Sequence, residues 1–518
     1  MINPEQLETL SPFDTSQLLI EVAKINHHTQ AVVNAGRGNP NWLQISTRAA
    51  FARLLTFALD VAQAQGDFGM VVAGDLTVQW QNFQTVAATD QFLAACFQYC
   101  ETTLGLSRSN VLLDFVNGIL GDFYPEPNRC LESVESILAA YITKISRATE
   151  LPDLTIFPTE GGSAAIGYLF QALKENFLLK SGDKIALSTP IFTPYLEIPE
   201  LNDFEFIELN LQASETTEYE VTLEQIKQLC NPEIKAFFLI NPSNPGCRPL
   251  SAAVLQALAT VVAQRPDLIL ITDDVYAAFS ESYQSVLQVA PQNTLFVYSF
   301  SKLYGATGWR LGLIATAKAN VFDRLIHELP QEQRTRLAER YGLIAIEPEK
   351  FPFIDRIVAD SRFVAMHHTA GLSTPQQIQM ALFALGTLTD TTQTYVQNAR
   401  TLIHHRYQLF YEALGVAMPP ISDQTFYYTL VDIYQLAEQK YTCDFADYLR
   451  QTTDTIQFEF NLAKEEDVVV MNGPGFDAPV GTIRISLANL PDTDYCYIGQ
   501  KISELLAKYH ARFLESCI

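Results

Sequence analysis

Six short apolar runs in the middle of the chain constrain its fold more than any other feature of the sequence. In order, they are LTIF, KIALSTP, KAFFLINP, LILITDD, TLFVYSF and RLGLIAT. Helical patterns such as SAAVLQALATVVAQ separate some of these runs. Continuous apolar runs are typical of strands that are buried on both faces of a parallel sheet. We therefore predict an α/β fold in which helices cover a mostly parallel sheet.

The length of the chain, 518 residues, is too great for one ordinary hydrophobic core and predicts at least two domains. We expect a helical N-terminal segment (1–125) that contributes to the smaller domain and to the entrance of the site. A large domain (126–372), with a helical insertion at about 318–366, contains the sheet. The C-terminal part (373–518) begins with one long helical stretch that continues to about Leu414. It then mixes strands with helices and is expected to form a smaller α+β domain.

The acidic charge balance and the cysteine pattern exclude several classes of partner. The chain has 34 Lys and Arg against 58 Asp and Glu, so it repels the phosphate backbone of nucleic acids. None of its eight cysteines forms a C-x-x-C pair, which favours a reduced, cytoplasmic compartment and indicates no metal site. The first residues, MINPEQLETLSP, contain neither a basic nor an apolar run, so we expect no secretion signal. No apolar run is long enough to span a bilayer, and we expect no membrane contact.

Residues that could bind a ligand follow the predicted strands. In TEGGSAAIGYLF, Gly162 and Ser163 begin a predicted helix, whose free N–H groups and dipole suit a phosphate. The ordinary alternative is a turn with a helix N-cap. In STPIFTPY, Phe192 could stack on a ligand ring, although packing in the core is an equal alternative. In NPSNPG, Asn244 lies in a rigid turn that need have no further role.

Two later strands end at ionisable residues. ITDDVY places Asp273 at the end of an apolar strand, with Tyr276 three positions later. The carboxylate could pair with a ligand cation, or it could simply cap a helix.

The segment VYSFSKLYGATGWRLG has a lysine, Lys302, in an otherwise apolar and glycine-rich context. Ser299 ends a predicted strand, Lys302 follows in the turn, and Arg310 opens the next strand. Because burying a lysine costs free energy, its presence indicates that the amine does chemistry, for example as a Schiff base. Ser299 and Ser301, together with Arg310, could hold a phosphate.

These features together match what a pyridoxal 5′-phosphate site needs. Such a site requires phosphate donors, a stacking aromatic ring, a carboxylate for the pyridine nitrogen, donors for the ring hydroxyl and a lysine. The order GGS, PIF, NPSNPG, DDVY, SFSK and R resembles that of the fold-type I pyridoxal-phosphate enzymes of the aspartate aminotransferase superfamily. The resemblance implies a mostly parallel seven-stranded sheet in a large domain, next to a smaller α+β domain.

The resemblance also implies a role for each residue. Lys302 would form the Schiff base and act in catalysis. In GTIRISLANL, Arg484 lies where the superfamily has the arginine that binds the substrate α-carboxylate. The residues that would contact the cofactor are Gly162, Ser163, Ser299, Ser301 and Arg310 at the phosphate, Phe192 at the ring face, Asn244 and Tyr276 at the ring hydroxyl, and Asp273 at the ring nitrogen.

Longer motifs resemble one branch of the superfamily, the aspartate 4-decarboxylases. These motifs are NAGRGNPNW, GILGDFYPEPNR, PIFTPYLEIPEL, FSKLYGATGWRLG, DSRFVAMHHTAGLSTPQQ and SLANL, and the likeness runs from Leu10 to the C-terminal helices. The resemblance implies conversion of L-aspartate to L-alanine and CO₂, with a side activity as an aspartate aminotransferase that uses 2-oxo acids. It also implies a homo-oligomer that is at least a dimer, since larger assemblies occur in this family.

Further site residues follow from the same resemblance. Arg37 and Gly38, in AGRGNP, would contact the substrate, with Arg37 at its β-carboxylate. Tyr124, in DFYPEP, would reach the cofactor phosphate across a subunit boundary. Thr369, in HHTAG, and Arg362 are further candidates near the β-carboxylate. For Arg362, a salt bridge within the insertion is an equal alternative.

One position departs from the family pattern. The decarboxylases have a lysine three residues after SPF, whereas this chain has Ser16. Loss of that charge would change the balance between decarboxylation and transamination. One alternative is therefore a plain class I or II aminotransferase that acts on aspartate or another amino acid. Another, of a different class, is a non-catalytic regulator or scaffold of this fold, although such a protein need not keep Lys302 and Asp273.

Overall fold

The computed structural model describes residues 4, 7, 10–26, 32–64, 83, 84, 86, 90–124, 129–201, 207–213, 219–365, 371–419 and 423–517. The predicted site residue Thr369 lies outside these described residues. Within them, no helix is both long enough and apolar enough to cross a membrane.

Helices dominate the N-terminal part of the described chain. They are α1 (Pro12–Asn26), α2 (Ile45–Gln63), α3 (Gln91–Thr102), α4 (Arg108–Leu120) and α5 (Glu132–Ile145), with a short strand, β1 (Val33–Asn34), after α1. Apolar residues recur at helical spacing in α2 to α5, so one face of each helix is buried. These faces join the larger of the hydrophobic cores, which also includes one face of the central sheet.

A seven-stranded sheet forms the centre of the molecule. Its strands are β2 (Leu154–Thr159), β3 (Lys184–Thr189), β4 (Ile207–Gln212), β5 (Ile234–Ile240), β6 (Ile269–Asp273), β7 (Thr294–Ser299) and β8 (Gly312–Ala317). They lie in the order β2-β8-β7-β6-β5-β3-β4, and within this sheet β8 runs antiparallel to the other six strands. The predicted mostly parallel sheet of seven strands is therefore confirmed.

The register of the central strands brings their carboxyl ends to one edge of the sheet. Asp273, the last residue of β6, is opposite Ile240 of β5 and Val297 of β7. Ser299, the last residue of β7, is opposite Gly312, the first residue of β8. The segments that leave these strands therefore begin side by side, at the edge where ligands bind in open α/β sheets.

Helices cover both faces of the sheet. They are α6 (Gly162–Glu175), α7 (Thr193–Leu201), α8 (Leu223–Gln228), α9 (Ala252–Gln264), α10 (Val321–Glu328), α11 (Gln331–Tyr341), α12 (Phe353–Ala365) and α13 (Thr374–Thr389). Because successive side chains of a strand point to opposite faces, Phe238 joins the larger core while Phe237 joins a smaller core with α9. Helix α13 is apolar on nearly every side and packs against α2, α4 and α5.

The C-terminal part has its own sheet and its own hydrophobic core. Its elements are α14 (Thr394–Leu414), β9 (Tyr428–Asp432), α15 (Ile433–Lys440), α16 (Cys443–Thr452), α17 (Thr455–Glu466), β10 (Val468–Val469), β11 (Met471–Asn472), β12 (Thr482–Ser486) and α18 (Asp492–Ser516). Strands β11, β12 and β9 form an antiparallel sheet in that order. The N-terminal part also reaches this region, since β1 pairs with β10 and α1 packs on α17.

Two local expectations are wrong. The helical stretch expected up to Leu414 is interrupted, because α13 ends at Thr389 and α14 begins at Thr394. Asp390 forms the break by accepting a hydrogen bond from the N–H of Tyr395. Arg310 does not open the next strand: it precedes β8 by two residues and has a left-handed backbone (φ 55°). The predicted domain boundaries remain a prediction.

Candidate active site

A cavity of about 220 Å³ opens at the carboxyl edge of the central sheet. It is lined from both parts of the molecule, since β12 and the loop after β1 contribute as well as the central strands. The residues predicted from the sequence that line it are Gly38, Gly162, Ser163, Phe192, Asn244, Asp273, Tyr276, Ser299, Ser301, Lys302, Arg310 and Arg484. The structure therefore brings most of the predicted site residues into one cavity.

One end of the cavity is built to hold an anion. The N-terminus of α6 begins there at Gly162, and the hydroxyls of Ser299 and Ser301 lie 3.0 Å apart. Gly161 has a φ of 100°, and a Cβ at this position would overlap the guanidinium of Arg310. Only glycine therefore lets the arginine approach the helix N-terminus. Free N–H groups, hydroxyls and a guanidinium in one place suit a phosphate group.

A buried carboxylate lies in the middle of the cavity. The carboxyl group of Asp273 accepts hydrogen bonds from the hydroxyl of Tyr195 (2.7 Å) and from the N–H of Val275 (3.1 Å). Burial raises the pKa of Asp273 to about 6, although these hydrogen bonds and the charge of Lys302 oppose the shift. A ligand cation, such as a protonated ring nitrogen, would favour the ionised form of this carboxyl group.

Lys302 is half-buried in the wall of the same cavity. Its Nζ donates a hydrogen bond to the main-chain carbonyl of Gly38 at 3.0 Å. The hydroxyl of Tyr427 donates to the same carbonyl at 2.9 Å. The loop that follows β1 therefore orients the amine, and the charge of Lys302 acts on Asp273 in the same cavity.

Three polar side chains form a hydrogen-bonded row beside Asp273. The amide nitrogen of Asn244 donates to the hydroxyl of Tyr276 at 3.3 Å. The hydroxyls of Tyr276 and Tyr428 lie 2.9 Å apart. Burial raises the pKa of the Tyr276 hydroxyl well above its usual value, so this group stays protonated and can donate to a ligand oxygen.

Arg484 is a buried cation at the other end of the cavity, with 1% of its surface exposed. It donates to the carbonyl of Gly36 at 2.8 Å, and its guanidinium lies between the rings of Tyr428 (4.4 Å) and Phe476 (4.3 Å). Among the described residues no carboxylate forms an ion pair with it, and burial lowers the pKa of its guanidinium. A buried guanidinium without a counter-ion is well suited to bind the carboxylate of a ligand.

The residues present therefore fit pyridoxal phosphate. The anion-binding end matches the phosphate, Asp273 matches the ring nitrogen, and Lys302 matches the aldehyde. Phe192 lies at the cavity wall, where its ring contacts Phe13 and Tyr195 edge-on.

Three of the predicted residues that the structure describes do not line the cavity, and a fourth lies outside the described residues. Arg37 is exposed and lies next to Gly38, which does line it. Tyr124 is 72% exposed. Arg362 lies on α12 and does not line the cavity, and Thr369 falls outside the described residues. Their roles remain a prediction.

Six residues that line the cavity were missed in the sequence: the aromatic residues Phe13, Tyr195 and Tyr428, and also Ile240, Val275 and Thr307. No motif marks Phe13, because it reaches the cavity only through the packing of α1. Tyr195 follows Phe192 by one helical turn, and this spacing was the only available signal. Tyr428 lies on β9, and it approaches Arg484 only because β9 pairs with β12.

The fold and the cavity together define an enzyme of the fold-type I pyridoxal-phosphate class. The model of the family described as aminotransferase class I and II matches residues 124–502, and the chain belongs to this family. Enzymes of this family depend on pyridoxal phosphate.

The chain is similar to one protein along nearly its whole length. It is 39% identical over 521 residues to a Pseudomonas sp. protein named bifunctional aspartate aminotransferase and L-aspartate beta-decarboxylase, with 98% of each covered. It is 26% identical over 202 residues to the aspartate/prephenate aminotransferase of Nitrosomonas europaea, covering 36% of this chain and 49% of that protein. The first similarity confirms the predicted resemblance to the aspartate 4-decarboxylases.

A solved structure shows the same fold at low identity. A single mutant of Thermus thermophilus aspartate aminotransferase superposes with a TM-score of 0.63 and 18% identity, and 98% of this chain and 99% of that chain are covered.

Proposed function

We propose that this chain converts L-aspartate to L-alanine and CO₂, with a side activity as an aspartate aminotransferase. The observation that carries this proposal is the unequal setting of two arginines: Arg484 lines the cavity, whereas Arg37 does not line it and is the neighbour of Gly38, which does. Arg484 is buried and forms no ion pair with a carboxylate in the described part of the chain, whereas Arg37 is exposed to solvent. A substrate with two carboxylates would be held firmly at one end and weakly at the other. The name of the Pseudomonas relative supports the same reaction.

Pyridoxal phosphate would bind through the residues that fit it. Gly162, Ser163, Ser299, Ser301 and Arg310 would hold the phosphate, Phe192 the ring face, Asn244 and Tyr276 the ring hydroxyl, and Asp273 the ring nitrogen. When bound, the cofactor supplies an aldehyde that joins the substrate amine and a ring that accepts electrons from the reacting carbons.

Lys302 would act as the acid–base residue of the reaction. Its amine would hold the cofactor at rest and then move a proton to and from the α-carbon of the substrate. The hydrogen bond to the Gly38 carbonyl would keep the amine on the substrate side of the cavity.

The two carboxylates of aspartate need different treatment. Arg484 would bind the α-carboxylate as a two-nitrogen pair in a site that excludes water. The β-carboxylate leaves as CO₂, so a tight clamp would stabilise a charge that must disappear in the transition state. An exposed arginine holds an anion only weakly, which makes Arg37 suitable for this contact. Gly38 would line the same side, and Thr369 and Arg362 are further candidates there.

We also propose a homo-oligomer that is at least a dimer and resides in the cytoplasm. The exposure of Tyr124 in the single chain supports a role across a subunit boundary, where it would contact the phosphate of a partner's cofactor. Free thiols at all eight cysteines support a reducing compartment.

Incubation of the holoenzyme with L-aspartate alone tests the proposal. We expect alanine and CO₂ to form without any added 2-oxo acid. Product that forms only with added 2-oxoglutarate would assign a plain aminotransferase instead. Lys302→Ala is the matched control, and it should lose both activities and the visible absorbance of the cofactor. If that absorbance does not change in Lys302→Ala, the non-catalytic alternative is favoured.

One observation favours the plain aminotransferase as a second candidate. Ser16, where the decarboxylases have a lysine, is buried in α1 beside the loop after β1: its hydroxyl would lie 3.2 Å from a Cβ at Gly36. We expect Ser16→Lys to change the ratio of alanine to oxaloacetate formed from aspartate. Gln17→Lys adds the same charge at the exposed neighbouring position and should leave the ratio unchanged. If Ser16→Lys and the wild type give the same ratio, the side chain at position 16 does not contact the substrate.

A further inference from the structure

A second cavity, of about 400 Å³, lies directly behind the wall of the candidate active site. It is bounded by the end of α5, the break between α13 and α14, and the segment after Tyr276. Two of its lining residues, Ala277 and Leu303, are the chain neighbours of the active-site residues Tyr276 and Lys302. The two cavities therefore share a wall of main chain.

Two arginines converge on one carbonyl group in this second cavity. Arg147 donates to the main-chain oxygen of Ser280 at 2.6 Å, and Arg400 donates to the same oxygen at 2.9 Å. Arg400, which is 14% exposed, also donates to the carbonyl of Ala278 at 2.7 Å. Two guanidinium groups that share one acceptor repel each other, and an anion between them would relieve this repulsion.

Nearby carboxylates leave this pair only partly neutralised. Glu281 lies 3.6 Å from Arg400 but is 80% exposed, so it screens the charge weakly. Asp423 accepts a hydrogen bond from the Ser280 hydroxyl at 3.2 Å and does not line the cavity. Asp390 is occupied at the start of α14, where it accepts from Tyr395 and Thr392. Partial burial outweighs these charges, since it lowers the pKa of each arginine although Glu281 and Asp423 act to raise it.

The rest of the lining indicates the size and kind of ligand. Ile145, Leu303 and Val396 supply apolar surface, and Lys144 is engaged at the end of α13, where it donates to the carbonyl of Thr387 at 2.6 Å. A cavity of this volume lies at the lower end of those that bind small molecules. Apolar walls with two cationic donors suit a short organic acid better than an inorganic anion.

We propose that this cavity is a binding site for a small organic carboxylate, held by Arg147 and Arg400 and in contact with Leu303. The carbonyl of Leu303 accepts hydrogen bonds from the hydroxyl of Tyr395 (2.8 Å) and from the indole N–H of Trp42 (2.9 Å). Tyr395 itself lines the cavity. A ligand there would therefore contact the side chain that positions Leu303, the residue after Lys302. This site does not depend on the proposed reaction of the first cavity.

Calorimetric titration of the holoenzyme with succinate tests the site. Succinate has no amino or oxo group, so it binds without reacting. We expect two succinates for each chain of the wild type, one at Arg484 and one in the second cavity. Arg484→Gln should remove the first, and Arg147→Gln should weaken the second by about tenfold or more. Arg512→Gln, an exposed arginine on α18, is the matched control and should keep both.

Three results would overturn the proposal. One is a single succinate for each wild-type chain that is lost in Arg484→Gln. Another is a second succinate that binds equally well to Arg147→Gln and to Arg400→Lys. The third is inorganic phosphate that displaces the second succinate with equal affinity, which would mean a general anion site. None of these results bears on alanine formation from aspartate, so the two proposals can fail separately.

Discussion

The Nζ of Lys302 donates to the carbonyl of Gly38, a residue 264 positions earlier in the chain. This contact ties the loop after β1 to the amine, and it leaves no room for a side chain. A Cβ at Gly38 would overlap the hydroxyl of Tyr428 and lie 3.1 Å from the amine.

We therefore expect Gly38→Ala to lower kcat/KM for aspartate by about 100-fold, since small displacements of a reacting group have effects of this size. Steady-state kinetics of the holoenzyme measure the effect. Gly308→Ala is the control, because a Cβ there would meet no heavy atom within 4 Å in the part of the chain that the structure describes. Equal losses in both variants would contradict the argument.

Replacing Arg484 separates charge from geometry. We expect Arg484→Gln to lower kcat/KM for aspartate by roughly 30-fold to 5,000-fold, the equivalent of about 2–5 kcal/mol for loss of one partner of a buried pair. Arg484→Lys keeps the charge but not the two-nitrogen geometry, so it should recover only part of the loss. A lysine variant with wild-type kinetics would show that the planar guanidinium is not needed.

Tyr428 offers a second test of the same end of the cavity. We expect Tyr428→Phe to lower kcat/KM only about threefold to tenfold, because it removes one hydrogen bond, with Tyr276, and keeps the ring on Arg484. Tyr428→Leu also removes the ring and should raise the KM for aspartate further. If the two variants behave alike, the ring does not help to position the guanidinium.

The buried neighbour of Asp273 should make stability depend on pH. Asp274 accepts hydrogen bonds from Thr272, Tyr283 and Ser285, and burial raises its pKa to about 7. In the unfolded chain its pKa is about 3.9. Because the pKa is higher in the folded state, the protonated form of Asp274 favours folding. The resulting contribution to stability is fully present below about pH 4 and is lost as the pH rises to about 7.

We expect the stability of the wild type relative to Asp274→Asn to fall by roughly 1.4 kcal/mol for each pH unit between about pH 5 and pH 7. Urea unfolding at several pH values measures this slope. Parallel curves for the two proteins would show that Asp274 does not titrate in this range.

The central sheet could be predicted from the sequence because most of its strands are buried on both faces. Strand β4 is the exception: it lies at the edge of the sheet, and its residues IELNLQ are mostly not buried. Without a continuous apolar run, nothing in the sequence distinguished it from a loop.

The site could be predicted where the residues lie in the turns after the central strands. Asp273, Ser299 and Lys302 are close in space because parallel strands bring their ends together. Tyr428 and Phe13 could not be predicted in this way. Their positions depend on how α1 and the C-terminal sheet pack against the first cavity, and single-sequence patterns contain no information about such long-range packing.

The pairing of β1 with β10 has a consequence for the order in which the enzyme is made. Val33 emerges from the ribosome roughly 430 residues before its partner Val468. At about 5–20 residues per second, this early strand waits roughly 20–90 s for its partner. The loop that bears Gly38 follows that strand directly, so a nascent chain can acquire its lysine pocket only once translation is nearly finished.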